Sequence, residues 1–211
     1  MANPSIKAII FDFDGVIADS FVAHYLAFKE VFGRIGIQLS KQEFLDIYGI
    51  GAFSVIKEIL KRYDYHSEIA PLVLEKDMIY RRLFPKHVKP LPGALEFISG
   101  VKVPKAIASS TTRDNLIFAM KRWNLTGFEF YLAREDVART KPDPEAYLLA
   151  IKKLGVPASS CIVIEDTSFG VSAAKAAGAS VIGITTTFGR EELAGADFIA
   201  DDYKAIKEWL S

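Results

Sequence analysis

Short apolar segments alternate with amphipathic segments through most of this chain of 211 residues. The apolar runs lie at residues 7–13, 105–110, 128–132, 160–165, 180–185 and 197–200, and helical periodicity covers about 112–123, 143–154, 168–177 and 203–210. Strands that alternate with helices of this length build right-handed βαβ units, which join into one parallel sheet. The sequence therefore predicts an α/β fold with a Rossmann-like parallel-sheet core.

The ends of the predicted helices carry residues that favour such positions. Asp143 is expected to be an N-cap, with Pro144 at the first helical position. Gly155 and Gly178 stand where glycine commonly ends a helix. These boundaries support the helix assignments on both sides of the run at residues 160–165.

Residues 17–88 interrupt the alternation with helical periodicity and no convincing strand. Aromatic side chains recur there at three- and four-residue spacing, beginning with Phe21 and Tyr25. Such a row can line a substrate pocket, but it more commonly forms the core of the helical segment itself, and we favour the core. We predict a helical domain at residues 17–88, inserted into an α/β core made of residues 1–16 and 89–211.

Two aspartates stand directly behind the first apolar run, in the segment FDFDGVIADS at residues 11–20. Asp12 and Asp14 are two residues apart, and side chains at that spacing in an extended segment point in the same direction. Burial of two carboxylates would carry a large desolvation penalty, which a bound cation or a reacting group relieves. The alternative is a simple turn, because Asp-Gly is a common turn pair.

Three further polar clusters follow apolar or strand-like segments. Residues 109–112 read SSTT, residues 139–144 read RTKPDP, and Glu165-Asp166 ends the run CIVIED. Ligands of an open parallel sheet bind at the carboxyl ends of its strands, so we expect these clusters to meet the two aspartates. Four carboxylates, a row of hydroxyl groups and one lysine are typical of a site for a metal and a phosphate group.

In this order and spacing, the four elements resemble the haloacid dehalogenase superfamily of aspartate-nucleophile phosphatases and phosphomutases. The segments DGVIADS, KPDPEAY and IEDTSFGV are most similar to the branch that holds phosphoglycolate phosphatases and β-phosphoglucomutases. The resemblance spans essentially the whole chain. It implies a haloacid dehalogenase-like core with an inserted four-helix-bundle cap, here residues 17–88, which closes over the active site.

The resemblance also implies a covalent mechanism. Asp12 would be the nucleophile that attacks phosphorus and forms an aspartyl-phosphate. Asp14 would be the general acid and base, with a pKa tuned upward for that work. Ser109 would hydrogen-bond the phosphoryl oxygens, and Lys141 would neutralise their charge.

Three more residues are expected to contact the substrate. Ser110 and Thr111 lead into a helix start, where free N–H groups favour an anion, and Thr111 is also a candidate N-cap. His24 lies ten residues after Asp14, where related mutases carry a histidine that helps with proton handling. A structural role on an otherwise apolar helix face is the alternative for His24.

The cofactor implied by the resemblance is Mg²⁺, which suits a site of a few carboxylates, phosphate and water. The ligands would be the Asp12 side chain, the Asp14 backbone carbonyl, Asp166, and Glu165 directly or through water. Taken alone, Glu165-Asp166 is an acidic helix start, which the helix dipole favours. Because Glu165-Asp166 and Asp12 are expected at the same edge of the sheet, the pair indicates a metal site.

Related phosphoglucomutases carry a basic residue on the cap, just after a glycine-containing turn, to hold a second phosphate. Here residues 48–54 read YGIGAFS, and no cation precedes Lys57. This absence favours hydrolysis, so we expect a Mg²⁺-dependent phosphatase acting on a small phosphorylated metabolite. The alternatives are a sugar phosphomutase, a catalytically silent binding module, and a 2-haloacid dehalogenase, against which Asp14 and Glu165-Asp166 argue.

The amino-acid composition limits the classes of binding partner and the cellular compartment that we expect. Lys and Arg total 26 and balance 26 Asp and Glu, so nothing suggests nucleic acid or an anionic membrane as the partner. The single cysteine, Cys161, agrees with a reducing cytosol, and its place in a predicted strand indicates a core residue. We interpret residues 1–5 as no signal sequence, and no apolar run approaches the length of a membrane span. We expect a cytoplasmic monomer or weak homodimer.

Overall fold

The computed structural model describes residues 6–211. Residues 1–5, which belong to the predicted core range and to the segment interpreted as no signal sequence, lie outside the described residues. The strands are β1 (Ala8–Phe11), β2 (Ala18–Asp19), β3 (Lys89–Pro90), β4 (Lys105–Ala108), β5 (Phe130–Leu132), β6 (Cys161–Glu165), β7 (Ser180–Ile184) and β8 (Phe198–Ala200). The helices are α1 (Phe21–Arg34), α2 (Lys41–Leu45), α3 (Ala52–Arg62), α4 (Ile69–His87), α5 (Ala94–Gly100), α6 (Arg113–Arg122), α7 (Glu145–Leu154), α8 (Ser168–Ala176) and α9 (Tyr203–Leu210).

Within the described residues, six strands form one parallel sheet in the order β5-β4-β1-β6-β7-β8. Ile9 and Phe11 of β1 pack with α5, α6 and α9, whereas Ala8 and Ile10 pack with α7 and α8 on the opposite face. Both faces of the sheet are therefore covered, which explains why its central strands are continuously apolar. The predicted α/β class with a parallel sheet is confirmed, and Cys161 is fully buried in β6 as expected.

Strands β2 and β3 form a separate antiparallel ribbon, with Ala18 opposite Pro90 and Asp19 opposite Lys89. Strand β2 corrects the expectation that residues 17–88 hold no strand, because a strand of two residues leaves no periodic pattern. The ribbon joins the points where the chain leaves and re-enters the α/β part. Helices α1–α4, called the cap helices below, lie between its two strands. The boundaries of the two domains stay a prediction.

The cap helices pack around aromatic side chains. Phe28, Phe32, Phe44, Tyr80 and Phe84 are all buried, and the rings of Phe28 and Phe44 lie 5.3 Å apart between centroids. The row therefore forms a hydrophobic core, and two of its members, Phe28 and Phe44, also line the cavity described below. Among residues 6–211, none of the helices combines the length and the hydrophobicity that a bilayer crossing requires.

Two helix starts differ from the prediction by one residue. Helix α7 begins at Glu145 with Pro144 as its N-cap, and the Asp143 carboxylate accepts from the Glu145 N–H at 3.0 Å. Helix α6 begins after Thr112, so the N-cap is Thr112 and not Thr111. Helix α5 is not predicted at all, because its seven residues bury only two apolar side chains and so show no clear period.

Candidate active site

The carboxyl ends of β4, β1 and β6 lie side by side in the sheet, and each is followed by polar residues. Ser109 directly follows β4, Asp12 directly follows β1, and Glu165 is the last residue of β6. Asp12 and Asp14 line the same cavity as Lys141, which comes from the loop before α7. The structure thus brings together clusters that are far apart in the sequence.

Lys141 is buried between two carboxylates. Its Nζ donates to Asp12 Oδ1 and to Glu165 Oε1, both at 2.6 Å, and lies 4.9 Å from the centre of the Tyr147 ring. Burial opposes the charge, but the two carboxylates outweigh it and raise the pKa of Lys141 above its usual range. Lys141 is therefore a fixed cation beside Asp12, where little water screens it.

Glu165 is fully buried, and its carboxylate accepts from five donors. Oε1 accepts from Lys141 and, at 2.6 Å, from the Tyr147 hydroxyl. Oε2 accepts from the N–H groups of Asp166 and Thr167 at 2.9 and 3.2 Å, and from the Thr167 hydroxyl at 3.2 Å. Burial opposes ionisation, yet these donors hold the pKa of Glu165 below its ordinary value. Its oxygens are thus already engaged within the protein.

The carboxylate of Asp166 lacks the hydrogen bonds that the carboxylate of Glu165 accepts. It is fully buried, and neither carboxylate oxygen has a hydrogen-bond partner among the described residues. Carboxylate oxygens of Asp12, Glu165 and Asp166 lie within 4.8 Å of one another. Burial, together with the charges of Glu165 and Asp12, raises the pKa of Asp166 well above its ordinary value, and burial raises the pKa of Asp12 to about 8. A divalent cation would relieve both effects, so this donor set fits a metal site.

Two glycines make room for these acids. A β-carbon at Gly170, in α8, would collide with the Glu165 carboxylate. A β-carbon at Gly15 would collide with the Asp166 carboxylate, and Gly15 also has a positive φ of 76°. The close approach of backbone to carboxylate therefore requires glycine at both positions.

Asp14 receives hydrogen bonds from the start of the cap. Its Oδ1 accepts from the Ser20 hydroxyl at 2.6 Å and lies 3.0 Å from His24 Nε2. The His24 ring stacks on Tyr80 at 4.2 Å, and burial with the nearby Lys76 lowers the pKa of His24. Burial would raise the pKa of Asp14, but His24 and Ser20 lower it below its ordinary value. The expectation of a raised pKa is wrong here, because both neighbours stabilise the carboxylate.

The segment after β4 is compact and faces the cavity. Ser109 and Thr111 are both buried, and Ser109 Oγ accepts from the Thr111 N–H at 3.1 Å. Ser110, Thr111 and Thr112 line the cavity. Ser109 follows β4, the strand next to β1, but it is not among the residues that line the cavity, and its predicted role toward a phosphoryl group stays a prediction.

The cap side of the cavity is largely apolar. Phe28, Phe44, Tyr48 and Val55 line it, and the buried Tyr48 hydroxyl has no hydrogen-bond partner among the described residues. Phe53, in contrast, is 45% exposed and is not part of this wall. Tyr48 is therefore part of the cavity wall, whereas Phe53 is not.

Sequence reasoning missed Lys76, Asp77 and Tyr147, and it included Thr112 only as a member of the hydroxyl cluster at residues 109–112. Lys76 is 2% exposed and reaches the cavity from α4, so the cap does supply a cation, although not from the turn at residues 48–54. Lys76 and Asp77 stand in a helix with many charged residues, and nothing in the sequence separates them from a solvated face. Tyr147 belongs to the segment KPDPEAY, but its partner Glu165 is 18 residues away.

Residues 9–184 match the family described as haloacid dehalogenase-like hydrolase. The match covers most of the chain, and the sheet order and acidic cluster agree with it. The chain belongs to this family and is a hydrolase, an enzyme, as the motifs predict.

Individual proteins and a solved structure are also similar to this chain. The chain is 31% identical over 180 residues to a phosphorylated carbohydrates phosphatase of Thermotoga maritima, with 82% of each chain covered. It is 32% identical over 217 residues to the chloroplastic protein SUPPRESSOR OF QUENCHING 1 of Arabidopsis thaliana, which covers 93% of this chain but 20% of that protein. A solved β-phosphoglucomutase of Clostridium difficile superposes with a TM-score of 0.86 at 26% identity, covering 97% of each chain.

Proposed function

We propose that the protein is a Mg²⁺-dependent phosphatase that hydrolyses a small phosphorylated metabolite through an aspartyl-phosphate. The observation that carries this proposal is the arrangement around Asp12. Its Oδ1 is held by Lys141 at 2.6 Å, and the unsatisfied carboxylate of Asp166 lies beside it. A nucleophile, a fixed cation and an acid without a partner are the parts that phosphoryl transfer needs.

The first chemical step uses Asp12 and Asp14. Because Lys141 holds Oδ1 of Asp12, Oδ2 is the oxygen left to attack phosphorus. Attack forms the Oδ2–P bond and breaks the bond from phosphorus to the ester oxygen, which takes a proton from Asp14. The dianionic substrate favours protonated Asp14, since a second negative charge nearby disfavours ionisation.

The second step returns the enzyme to its starting state. Asp14 accepts a proton from a water molecule, whose oxygen bonds to phosphorus as the Oδ2–P bond breaks. Inorganic phosphate leaves, and Asp12 is again a carboxylate. The hydrogen bonds from Ser20 and His24 suit this step, because they favour the carboxylate form that acts as a base.

The metal would be held by Asp12 and Asp166, with the Asp14 carbonyl as a further proposed ligand. Glu165 is placed to orient the site, because its oxygens already accept five hydrogen bonds. When bound, Mg²⁺ supplies charge neutralisation between the carboxylates and an incoming phosphate. Ser109 and Lys141 would bind the phosphoryl oxygens, while Ser110 and Thr111 would border them.

The substrate class rests on the relatives and on the cavity. The Thermotoga maritima relative is named for phosphorylated carbohydrates, and the cavity is covered by the cap helices. A phosphorylated sugar or sugar derivative is therefore the first substrate class to test. A sugar phosphomutase is the second candidate, which the likeness to a β-phosphoglucomutase and the cation Lys76 in the cavity both favour.

The test is phosphate release from a panel of phosphorylated sugars, other small phosphomonoesters and 4-nitrophenyl phosphate. We expect release with Mg²⁺ and none in excess EDTA, and no release by Asp12→Asn. Asp19→Asn, an exposed aspartate nearby, is the matched control and should keep wild-type rates. Isomerisation of a sugar phosphate faster than its hydrolysis would favour the mutase. Full turnover in EDTA, or by Asp12→Asn, would overturn the proposed mechanism.

A further inference from the structure

One buried carboxylate connects cap helix α4 to the α/β core. Asp77 is 5% exposed, and its Oδ2 accepts from the Thr112 hydroxyl at 2.7 Å. Its Oδ1 accepts from Asn115 Nδ2 at 2.8 Å and from Lys76 Nζ at 3.2 Å. A single side chain therefore contacts the start of α6, the first turn of that helix, and a cation that lines the cavity.

Thr112 connects the contact with Asp77 to the predicted site. It is the N-cap residue of α6 and directly follows residues 109–111, the predicted phosphate-binding segment. Its side chain makes no capping hydrogen bond to its own helix. The Arg113 N–H is instead capped by the Glu135 carboxylate, at 2.9 and 3.1 Å from its two oxygens. The Thr112 hydroxyl is thus committed to Asp77 and not to its own helix.

The junction buries several polar groups, and their desolvation opposes its stability. A buried carboxylate is costly to desolvate, and its donors offset that cost without a large surplus. The Oδ1 atom of Asn115 is buried with no hydrogen-bond partner among the described residues, which adds a further penalty to this arrangement. Separation of α4 from α6 would let water reach Asp77, Thr112 and Asn115.

Apart from the His24–Asp14 contact of 3.0 Å within the site, the other polar contacts between the cap helices and the core are weaker. Arg81 and Asp114 form an ion pair at 3.8 Å, with side chains that are 35% and 75% exposed. Ser54 and Thr140 approach to 3.4 Å between hydroxyl oxygens. Exposed ion pairs of this kind contribute little, so the Asp77 junction is the better candidate for a functional connection.

We propose that Asp77 is a positioning residue, which couples the observed position of helix α4 to the geometry of residues 109–112. When α4 is in place, Asp77 fixes the Thr112 side chain and holds Lys76 toward the cavity. When α4 moves away, the phosphate-binding segment loses this restraint. The inference rests on the proposed phosphatase function only for its kinetic test, and its structural test is independent of that function.

The structural test is hydrogen–deuterium exchange on the full chain, without substrate, at a temperature where every variant is folded. Asp77→Ala should raise exchange about tenfold or more in two regions, residues 109–116 and the middle of α4. Asp114→Ala, which removes the exposed contact from the same helix start, is the matched control and should exchange like the wild type. Equal exchange in Asp77→Ala and Asp114→Ala would overturn the proposal.

Asp77→Asn is the second variant, in case the alanine variant does not fold. Its amide can accept from Asn115 and donate to the Thr112 hydroxyl, so the junction keeps its shape while the charge is lost. We expect exchange within about threefold of the wild type. An asparagine variant that exchanges as fast as the alanine variant would contradict a role in positioning Thr112.

The kinetic test is a double-mutant cycle with Asp77→Ala and Thr112→Val. If Asp77 acts through Thr112, each single variant should lower kcat/KM about tenfold and the double variant should be no worse than either. A purely structural role would instead lower the melting temperature and leave kcat/KM of the folded fraction unchanged. Multiplied losses in the double variant would refute the coupling. If the wild type releases no phosphate from any substrate, the proposed function fails, and the exchange experiment alone decides the role of Asp77.

Discussion

Replacement of Gly170 by alanine sets two opposing effects against each other. Gly170 lies in helix α8, where glycine is less favourable than alanine by roughly 0.5–1 kcal/mol. Helix propensity alone therefore predicts a more stable protein. However, the added β-carbon would collide with the buried Glu165 carboxylate.

The sizes of these two effects decide whether Gly170→Ala raises or lowers the free energy of unfolding. Glu165 can move aside only by giving up the donors on its Oε1 atom, Lys141 and Tyr147, both at 2.6 Å. Hydrogen bonds to charged groups contribute about 1.5–3 kcal/mol each, so the loss of two costs about 3–6 kcal/mol. After the gain in helix propensity, the net loss in the free energy of unfolding is about 2–5 kcal/mol. Lys141 also loses one of its two anchors, so we expect phosphatase activity to fall about 100-fold or more.

Urea denaturation and phosphate release measure both effects in Gly170→Ala. The matched control is Gly33→Ala, because Gly33 lies in α1 and a β-carbon there would meet nothing within 4 Å. The control should gain up to about 0.5–1 kcal/mol and keep wild-type activity. A Gly170→Ala protein that is as stable and as active as the wild type would refute the packing of Glu165 against α8.

Three further substitutions test separate parts of the structure. Tyr147→Phe removes a hydroxyl donor to Glu165 in the buried acid cluster and should lower kcat. The control Tyr203→Phe also loses a buried hydroxyl hydrogen bond, but it should lower only the melting temperature. Tyr48→Phe should change relative kcat/KM across the substrate panel, and Phe53→Ala should not, because only Tyr48 lines the cavity. Hydrogen bonds within the α2 capping box lower the pKa of Glu43 to about 2 from an ordinary 4.5. A lowered folded-state pKa gives stability above about pH 4.5 that is lost as the pH falls toward 2, so the stability difference from Glu43→Gln, within about 1 kcal/mol, should shrink over that range.

The parallel sheet is predictable because its strands are buried on both faces and so read as continuous apolar runs. The run CIVIE becomes β6, and the run at residues 105–110 becomes β4, which starts at the predicted residue and ends two residues earlier. Strand β2 escapes prediction because two residues carry no period. Helix α5 escapes because it is short and mostly exposed.

The site is predictable only where a motif supplies it. Asp12 and Lys141 come from motifs, and they are in contact although 129 residues separate them. The direction of the Asp14 pKa is not predictable from the motif, because it depends on hydrogen bonds from Ser20 and His24. The contact between Asp77 and the core depends on how two helices pack, and no local pattern encodes that.

The ribbon of β2 and β3 has a consequence for how such a chain can diverge. Because Ala18 pairs with Pro90, the whole segment between them enters and leaves the sheet domain at one point, as a single closed loop. The entropy cost of closing a loop rises by only about 0.6 kcal/mol for each doubling of its length. Helices can therefore be lengthened, lost or exchanged within this loop at little cost to the sheet, so the helices that cover the cavity can change while the acidic cluster at the strand ends is kept.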